Sequence, residues 1–398
     1  MEGEIIRPGF VSEFSCIGSD CEDSCCYDWG IHIDKQSYKH TCEHPELKDK
    51  ARQALKKTKK SESNWATVKL DANGGCPFLD EKKLCQIQAT AGEKLLSNTC
   101  KTYPRLNTIR GGDRYESLSL SCPEAVRSVL FKDNAFNFER IQSGSKQKAS
   151  PAPAWATKGH DYSIQLLLNN KLTWEESLLS IGILTNTVES SRISNSGTEN
   201  IDAMFNQLTQ LINNGTLQKQ YDDFINNNIH QMHAFESIHL WLNTNRTARG
   251  QARFELINEA IRSLAANKKI SMDNINHAWC NIAKPALAKY PDLFDRYQLY
   301  YMYNMNFPMV EKLSPSQAYR LMLVDSFMIR CYLAAMASYK GELSESDIVL
   351  CFQVYHTNRQ HKLNFSTYVV DILEKSGFSD VASAISLLHS EHTAPTAH

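Results

Sequence analysis

Nine of the chain's twelve cysteines fall between Cys16 and Cys122, in the first third of 398 residues. The opening run, Cys16-Ile-Gly-Ser-Asp-Cys21-Glu-Asp-Ser-Cys25-Cys26, packs four thiols into eleven residues. Cys42, Cys76, Cys85, Cys100 and Cys122 follow at wider intervals. Thiols this dense need a chemical fate: a metal, an iron–sulfur cluster or disulfides. Disulfides persist in oxidising compartments and staple small domains that lack a core. The N-terminal residues Met-Glu-Gly-Glu-Ile-Ile-Arg-Pro have no apolar h-region, and a chain of this length has ample apolar sequence to bury. The expectation is therefore a metal or a cluster.

Zinc and iron–sulfur make different demands. Structural zinc prefers knuckles with two to four residues between cysteines, often completed by His. The first run has spacings of four, three and none, and His32, His40 and His44 lie outside a finger pattern. Iron–sulfur clusters combine a tight loop with a remote cysteine followed by Pro, a form shared by Cys76-Pro77 and Cys122-Pro123. Tetrathiolate ligation suits either, and spacing leans only slightly towards Fe–S. Cys42 fits no paired spacing and reads as a free thiol, while Cys280, Cys331 and Cys351 sit on apolar helical faces and read as core.

These residues also carry a resemblance. The run Phe14 to Trp29, then Cys76-Pro-Phe-Leu79, Leu84-Cys-Gln-Ile87, Leu96-Ser-Asn-Thr-Cys100, Tyr103-Pro-Arg105 and Leu118-Ser-Leu-Ser-Cys-Pro-Glu-Ala125, closely resembles the flagellin lysine-N-methylase family (FliB-type). That family shares its cysteine cluster with the broader YkgJ-like zinc- or iron-chelating proteins. The similarity is dense over about residues 8–130 and looser around Leu299-Tyr-Tyr-Met-Tyr303 and Phe307-Pro308. It implies a cytoplasmic enzyme that uses S-adenosylmethionine to methylate the ε-amines of flagellin lysines. It also implies that the thiols hold a [4Fe–4S] cluster, with zinc as the alternative.

The candidate metal ligands are Cys16, Cys21, Cys25, Cys26, Cys76, Cys85, Cys100 and Cys122. One cubane takes four, so either two centres exist or half the thiols lie outside the ligand set. A favoured four would join one or two of Cys21, Cys25 and Cys26 to Cys85 and Cys100. Gly74 and Gly75, which let backbone amides approach a ligand, are candidate cofactor-binding residues with Arg105 and Arg114. Tyr103, Asp113 and Glu116 are candidate catalytic residues near the thiols, since methyl transfer needs a neutral lysine amine. Tyr27 and Trp29 are candidates to flank the lysine stem. The radical S-adenosylmethionine loop C-x3-C-x2-C is not formed, because Asp28 stands in the third position. No G-x-G-x-x-G follows a strand, which disfavours a Rossmann-type methyltransferase.

Charge is balanced, 43 basic against 44 acidic residues, so there is no footprint for nucleic acid or anionic lipid. The apolar run Leu321 to Ala337 is broken by Asp325 and Arg330 and reads as a core helix rather than a membrane span. The expected architecture is mainly α: an irregular cysteine-rich metal or Fe–S domain with a few short strands over 1–140, a linker over 141–160, an all-helical domain over 161–388 that receives the substrate, and a flexible tail over 389–398. Helical periodicity at Ile201, Met204, Phe205, Leu208 and Ile212, and at Phe254, Ile257, Ile261 and Leu264, supports the second domain. A rival reading is a metal- or cluster-binding YkgJ-like protein without methyltransferase activity; a third is a zinc-stabilised interaction module.

Overall fold

The computed structural model describes residues 3–143, 151–195, 197–224, 227–246, 249–265, 269–360, 362 and 364–390. The fold is mainly helical, with two small sheets. Its longest helix, Pro315–Lys340, starts where the sequence says it should. Ser314 caps it reciprocally with Gln317, Pro315 occupies the first turn, and left-handed Gly341 ends it. By length and composition this helix is apolar enough to cross a membrane, yet nearly all of it is buried among other helices. Asp325 is tolerated there because Arg359 pairs with it at 2.7 Å and Tyr355 donates its hydroxyl. Cys331 and Cys351 are fully buried, as small apolar groups.

Seven strands occur among the described residues: β1 (Glu4–Pro8), β2 (His32–Ile33), β3 (Leu55–Lys57), β4 (Ala66–Val68), β5 (Arg105–Arg110), β6 (Asp113–Leu118) and β7 (Phe138–Gln142). One sheet runs β5-β6-β1-β7, with β1 parallel to β6 and antiparallel to β7; the other runs β2-β4-β3. Residues 46–63 are rich in charged, helix-prone side chains, yet within them only Lys48–Ala54 is helical. Leu55 buries itself in the small core and the chain turns into β3, pairing with β4 instead of extending the helix.

Two cores result, and they do not divide near residue 140. Residues 31–96 enclose a small one, built from Ile31, Ile33, Leu55, Phe78, Ile87 and Leu96. The first strand and the segment after Leu118 instead join the helical body: Phe10, Leu120, Val126 and Val129 share its core. The Leu299–Tyr303 motif explains why. Tyr300 donates to the Leu118 carbonyl at 2.7 Å, and Tyr303 donates to the Ile6 and Glu116 carbonyls, so the helix Leu293–Met305 bolts the larger sheet down. Of the expected linker, Ile141 and Gln142 belong to β7, and the helix Ala154–Leu167 begins within it. Residues 144–150 lie outside the described residues, as do 391–398 of the expected tail. His389, at the start of that tail, is buried rather than solvated, because Leu387 and Leu388 draw it into the core.

Candidate metal centre

Four separate stretches deliver thiols to one place. Cys26 sits in the turn after Cys25, and its carbonyl accepts from the Cys76 amide at 2.9 Å. Tyr27 and Gly75 form a β-bridge beside it, and Asp28 donates its amide to the Gly74 carbonyl. Gly74 is required there: its φ is 80°, and a Cβ would come within 1.8 Å of the Asp28 carboxylate. Leu79 and Cys85 bridge in turn, with the Asp80 carboxylate accepting the amides of Lys82 and Leu84 to close the loop between them. Cys100 lies one turn into a short helix capped by Ser97. Cys26, Cys76, Cys85 and Cys100 thus line a single cavity whose other walls include Ile31, Ile33, Leu55, Phe78, Ile87 and Leu96. The cavity is small, about 40 Å³, room for a compact inorganic group and far too little for an organic cofactor.

The electrostatics group the eight thiols into two overlapping sets, since Cys25 acts on both Cys100 and Cys122. Burial raises Cys76 and, to about 11, Cys100; Cys85 adds to both, and Cys76 adds further to Cys100. Cys26 is raised by its hydrogen bond to the Cys25 thiolate, then by burial, with Cys76 and Cys100 adding to it. These four are one set. Burial likewise holds Cys122 up at about 12, where Cys21 and Cys25 reinforce it, and Cys21 up at about 11, where Cys16 does. These four are the other. Cys25 is lowered, by the Cys26 S–H and the Arg249 charge, and joins the sets through its neighbour. None of the described cysteines is in a disulfide. Among the described residues no three His, Cys, Asp or Glu side chains close to the spacing of a single-ion site. Four thiols round one apolar cavity are a donor set that suits zinc or an iron–sulfur centre alike, and filling it means displacing the protons that burial retains.

The other expected site residues are dispersed. Asp113 accepts from the Glu4 amide at 2.8 Å, at the hairpin end of β6. Glu116 is paired with Arg7 at 2.6 Å and with Arg114 at 2.9 Å, so Arg114 already holds a protein carboxylate. Arg105 stacks over Phe14 and shares an open groove with Glu116 and Arg7. Tyr103 is closer to the thiols, edge-on to Trp29 at 4.9 Å, and burial pushes its phenol well above the ordinary range.

Sequence reasoning missed the group that ties Tyr103 in place. Arg249, from the helical body, donates to Asp23 at 3.0 Å, to the Tyr103 hydroxyl at 2.9 Å and to the Ser121 carbonyl at 3.2 Å. Gln353 donates to the same Asp23 oxygen at 2.7 Å. Asp23 lies between Cys21 and Cys25, and that position was the one available signal.

Fold and site define a helix-rich protein that clamps a thiol-lined cavity onto its helical body. The FliB lysine N-methylase C-terminal domain matches residues 160–387, more than half the chain. The chain therefore belongs to the FliB lysine N-methylase family, and is an enzyme. It is similar to the lysine-N-methylase of Salmonella choleraesuis strain SC-B67, 25% identical over 395 residues that cover 96% of this chain and 98% of the relative. The lysine-N-methylase of Salmonella typhimurium strain LT2 is 24% identical over the same shares. The flagellar biosynthetic protein FliU of Salmonella muenchen is 37% identical over 145 residues, 36% of this chain and 86% of that one. No solved structure matches the chain.

Proposed function

We propose that the protein transfers methyl groups from S-adenosylmethionine to lysine ε-amines of flagellin, and that its thiols hold a [4Fe–4S] cluster, with zinc the alternative. The observation that carries this is the convergence of Cys26, Cys76, Cys85 and Cys100 on one apolar cavity in a chain of this family. Flagellin as substrate is supported by the similarity to a flagellar biosynthetic protein. A cytoplasmic location is what the family resemblance implies, and the balanced charge offers no basic surface for nucleic acid or an anionic membrane.

A bound cluster supplies iron that can exchange electrons or act as a Lewis acid. The chain's own residues do the rest. Cys26, Cys76, Cys85 and Cys100 would hold a centre within the apolar cavity, and Cys16, Cys21, Cys25 and Cys122 are the remaining candidate thiols. Asp23, Arg249 and Tyr103 hold the thiol loop against the helical body. Methyl transfer needs the lysine nitrogen to lose its proton before it displaces the sulfonium carbon, leaving S-adenosylhomocysteine. Of the expected acid–base residues, Glu116 lines an open groove with Arg105. No doubly wound sheet exists among the described residues, so the methyl donor would not rest in a Rossmann loop.

The test is intact-mass analysis of flagellin incubated with anaerobically purified protein and S-adenosylmethionine. Increments of one methyl, dependent on the donor, are expected from a brown, iron-containing preparation. Metal-loaded protein that leaves flagellin unchanged would instead support the chelating, YkgJ-like reading.

A further inference from the structure

The aromatic pair nearest the thiols is already taken. The Arg249 guanidinium lies over Trp29 at 5.5 Å and over Tyr103 at 5.0 Å, so a substrate ammonium needs another aromatic wall. One exists in the helical body, with a volume of about 340 Å³. Trp174 and Glu175 line it from the start of the helix Trp174–Ser194, and Trp279 from the π-helical turn Trp279–Ala283. Tyr290, Phe294 and Asp295 complete the wall. Trp174 stacks on Phe294 at 4.2 Å, and Trp279 meets the same ring edge-on at 6.0 Å. Single π-turns inside helices concentrate at functional sites.

Two carboxyl groups line this pocket with no cation in direct contact; the nearest positive charges acting on Glu175 are Lys284, on the pocket wall, and Arg330. Glu175 is only 6% exposed, and it accepts no hydrogen bond from another described residue and joins no ion pair. Asp295 is in the same position. Lys284, exposed at the edge, forms no ion pair with either. Burial raises both carboxyls, Asp295 to about 6 with help from Asp292. Apolar walls, π-faces and two acids without a direct ion pair together complement a group that is apolar along its stem and positive at its tip.

We propose that this pocket binds an alkylammonium side chain, lysine or N-methyl-lysine, of the protein substrate, at a site separate from the thiols. The inference rests on the lysine-methylating function proposed above. The placement suits a protein substrate. Tyr290 packs on Phe131 at 4.9 Å, just past the helix Pro123–Leu130 whose N-cap is Cys122. Eight helical residues span about 12 Å, a short distance along an extended chain.

Full-length protein without methyl donor is titrated with Nα-acetyl-lysine amide, its trimethylated form and the uncharged norleucine analogue, read by tryptophan fluorescence and calorimetry. One or both ammonium probes should saturate while the neutral probe does not, and Glu175→Gln should weaken binding about tenfold or more. Lys284→Met, which removes a competing cation, should bind at least as well as wild type. Preference for lysine marks substrate capture and preference for the trimethylated form marks product retention; each upholds the site. An equal response to the neutral probe overturns it, as does wild-type affinity in both Glu175→Gln and Asp295→Asn. Circular dichroism checks folding, and Asp295→Asn decides the matter if Glu175→Gln unfolds. A failure of flagellin methylation in the separate mass assay would sink the enzymatic reading without touching this result.

Discussion

Arg249 and Asp23, 226 positions apart in the chain, meet as a buried ion pair at 3.0 Å. The pair joins the thiol loop to the helical body, and Gln353 and Tyr103 complete its hydrogen bonds. Two charges removed from water are tolerated only while each satisfies the other.

Removing one partner should therefore be severe. Asp23→Ala strands the Arg249 charge and is expected to destabilise the protein by about 3–5 kcal/mol. Arg249→Lys should not preserve stability, because a compact, strongly hydrated ammonium loses the planar guanidinium's contact over the Trp29 and Tyr103 rings. Urea denaturation measures both, and a loss below about 1 kcal/mol in Asp23→Ala would show the pair to be incidental.

The two thiol sets make a prediction about metal content. Cys100→Ser and Cys122→Ser each strike one set, so each should lower metal per chain while the other set keeps its share. The double variant should hold least. Cys42→Ser, outside both sets, and Cys331→Ser, in the helical core, should bind as wild type. Iron and zinc analysis with visible spectra checks this, and undiminished metal in the double variant would refute ligation by these thiols.

Much of this was legible. Cysteine density implied convergence, and the periodicity at Ile201–Ile212 and Phe254–Leu264 implied the helices now seen at Glu199–Asn213 and Gln251–Ser263. The partners of each face were not legible. Alternation along Glu116 to Cys122 predicts a strand buried on one side, yet Ser117, Ser119 and Ser121 are buried with Leu118, Leu120 and Cys122, and nothing in the pattern names Tyr300 and Tyr303 as cover from far along the chain. The sequence-read strand also overruns: the ladder stops at Leu118, and the Cys122 amide turns back to the Ser119 carbonyl. Arg249, in the turn before Gln251–Ser263, and Gln353, on the helix Glu345–Arg359, are single polar residues, and a lone long-range hydrogen bond leaves no periodic trace. Acid–base candidates chosen for nearness in sequence scattered for a related reason. Asp113 and Glu116 lie within a β-hairpin, where side chains alternate between faces and pair with whatever strand lies opposite.

Acid should destabilise the fold through His239. Its ring lies between Phe235 and Phe254, and burial lowers its pKa from 6.5 to about 4. Below pH 6.5 the unfolded chain takes up a proton that the folded chain refuses until about pH 4. Stability therefore falls as pH drops through that window, by about 2 kcal/mol from this group between pH 7 and 5. His356, fully buried, is shifted the same way. Urea midpoints at the two pH values should show the loss, and His239→Gln should flatten the slope. An unchanged slope in that variant would assign the effect elsewhere.

Gly182 tests the packing between the two longest helices. In the middle of Trp174–Ser194, alanine would ordinarily be favoured over glycine by up to about 1 kcal/mol. Here a Cβ would come within 2.4 Å of the Tyr319 hydroxyl oxygen and 2.5 Å of Val381. Tyr319 has little room to yield: it is fully buried, and its hydroxyl donates to the Leu178 carbonyl at 2.8 Å. Overpacking of this kind typically costs about 1–3 kcal/mol, more than the propensity gain. Gly182→Ala should thus lower the unfolding midpoint, whereas alanine at exposed Gly92, where nothing lies within 4 Å of the new Cβ, should do so only through its positive φ of 73°. A stabilised Gly182→Ala would mean that the two helices stand further apart than this contact requires.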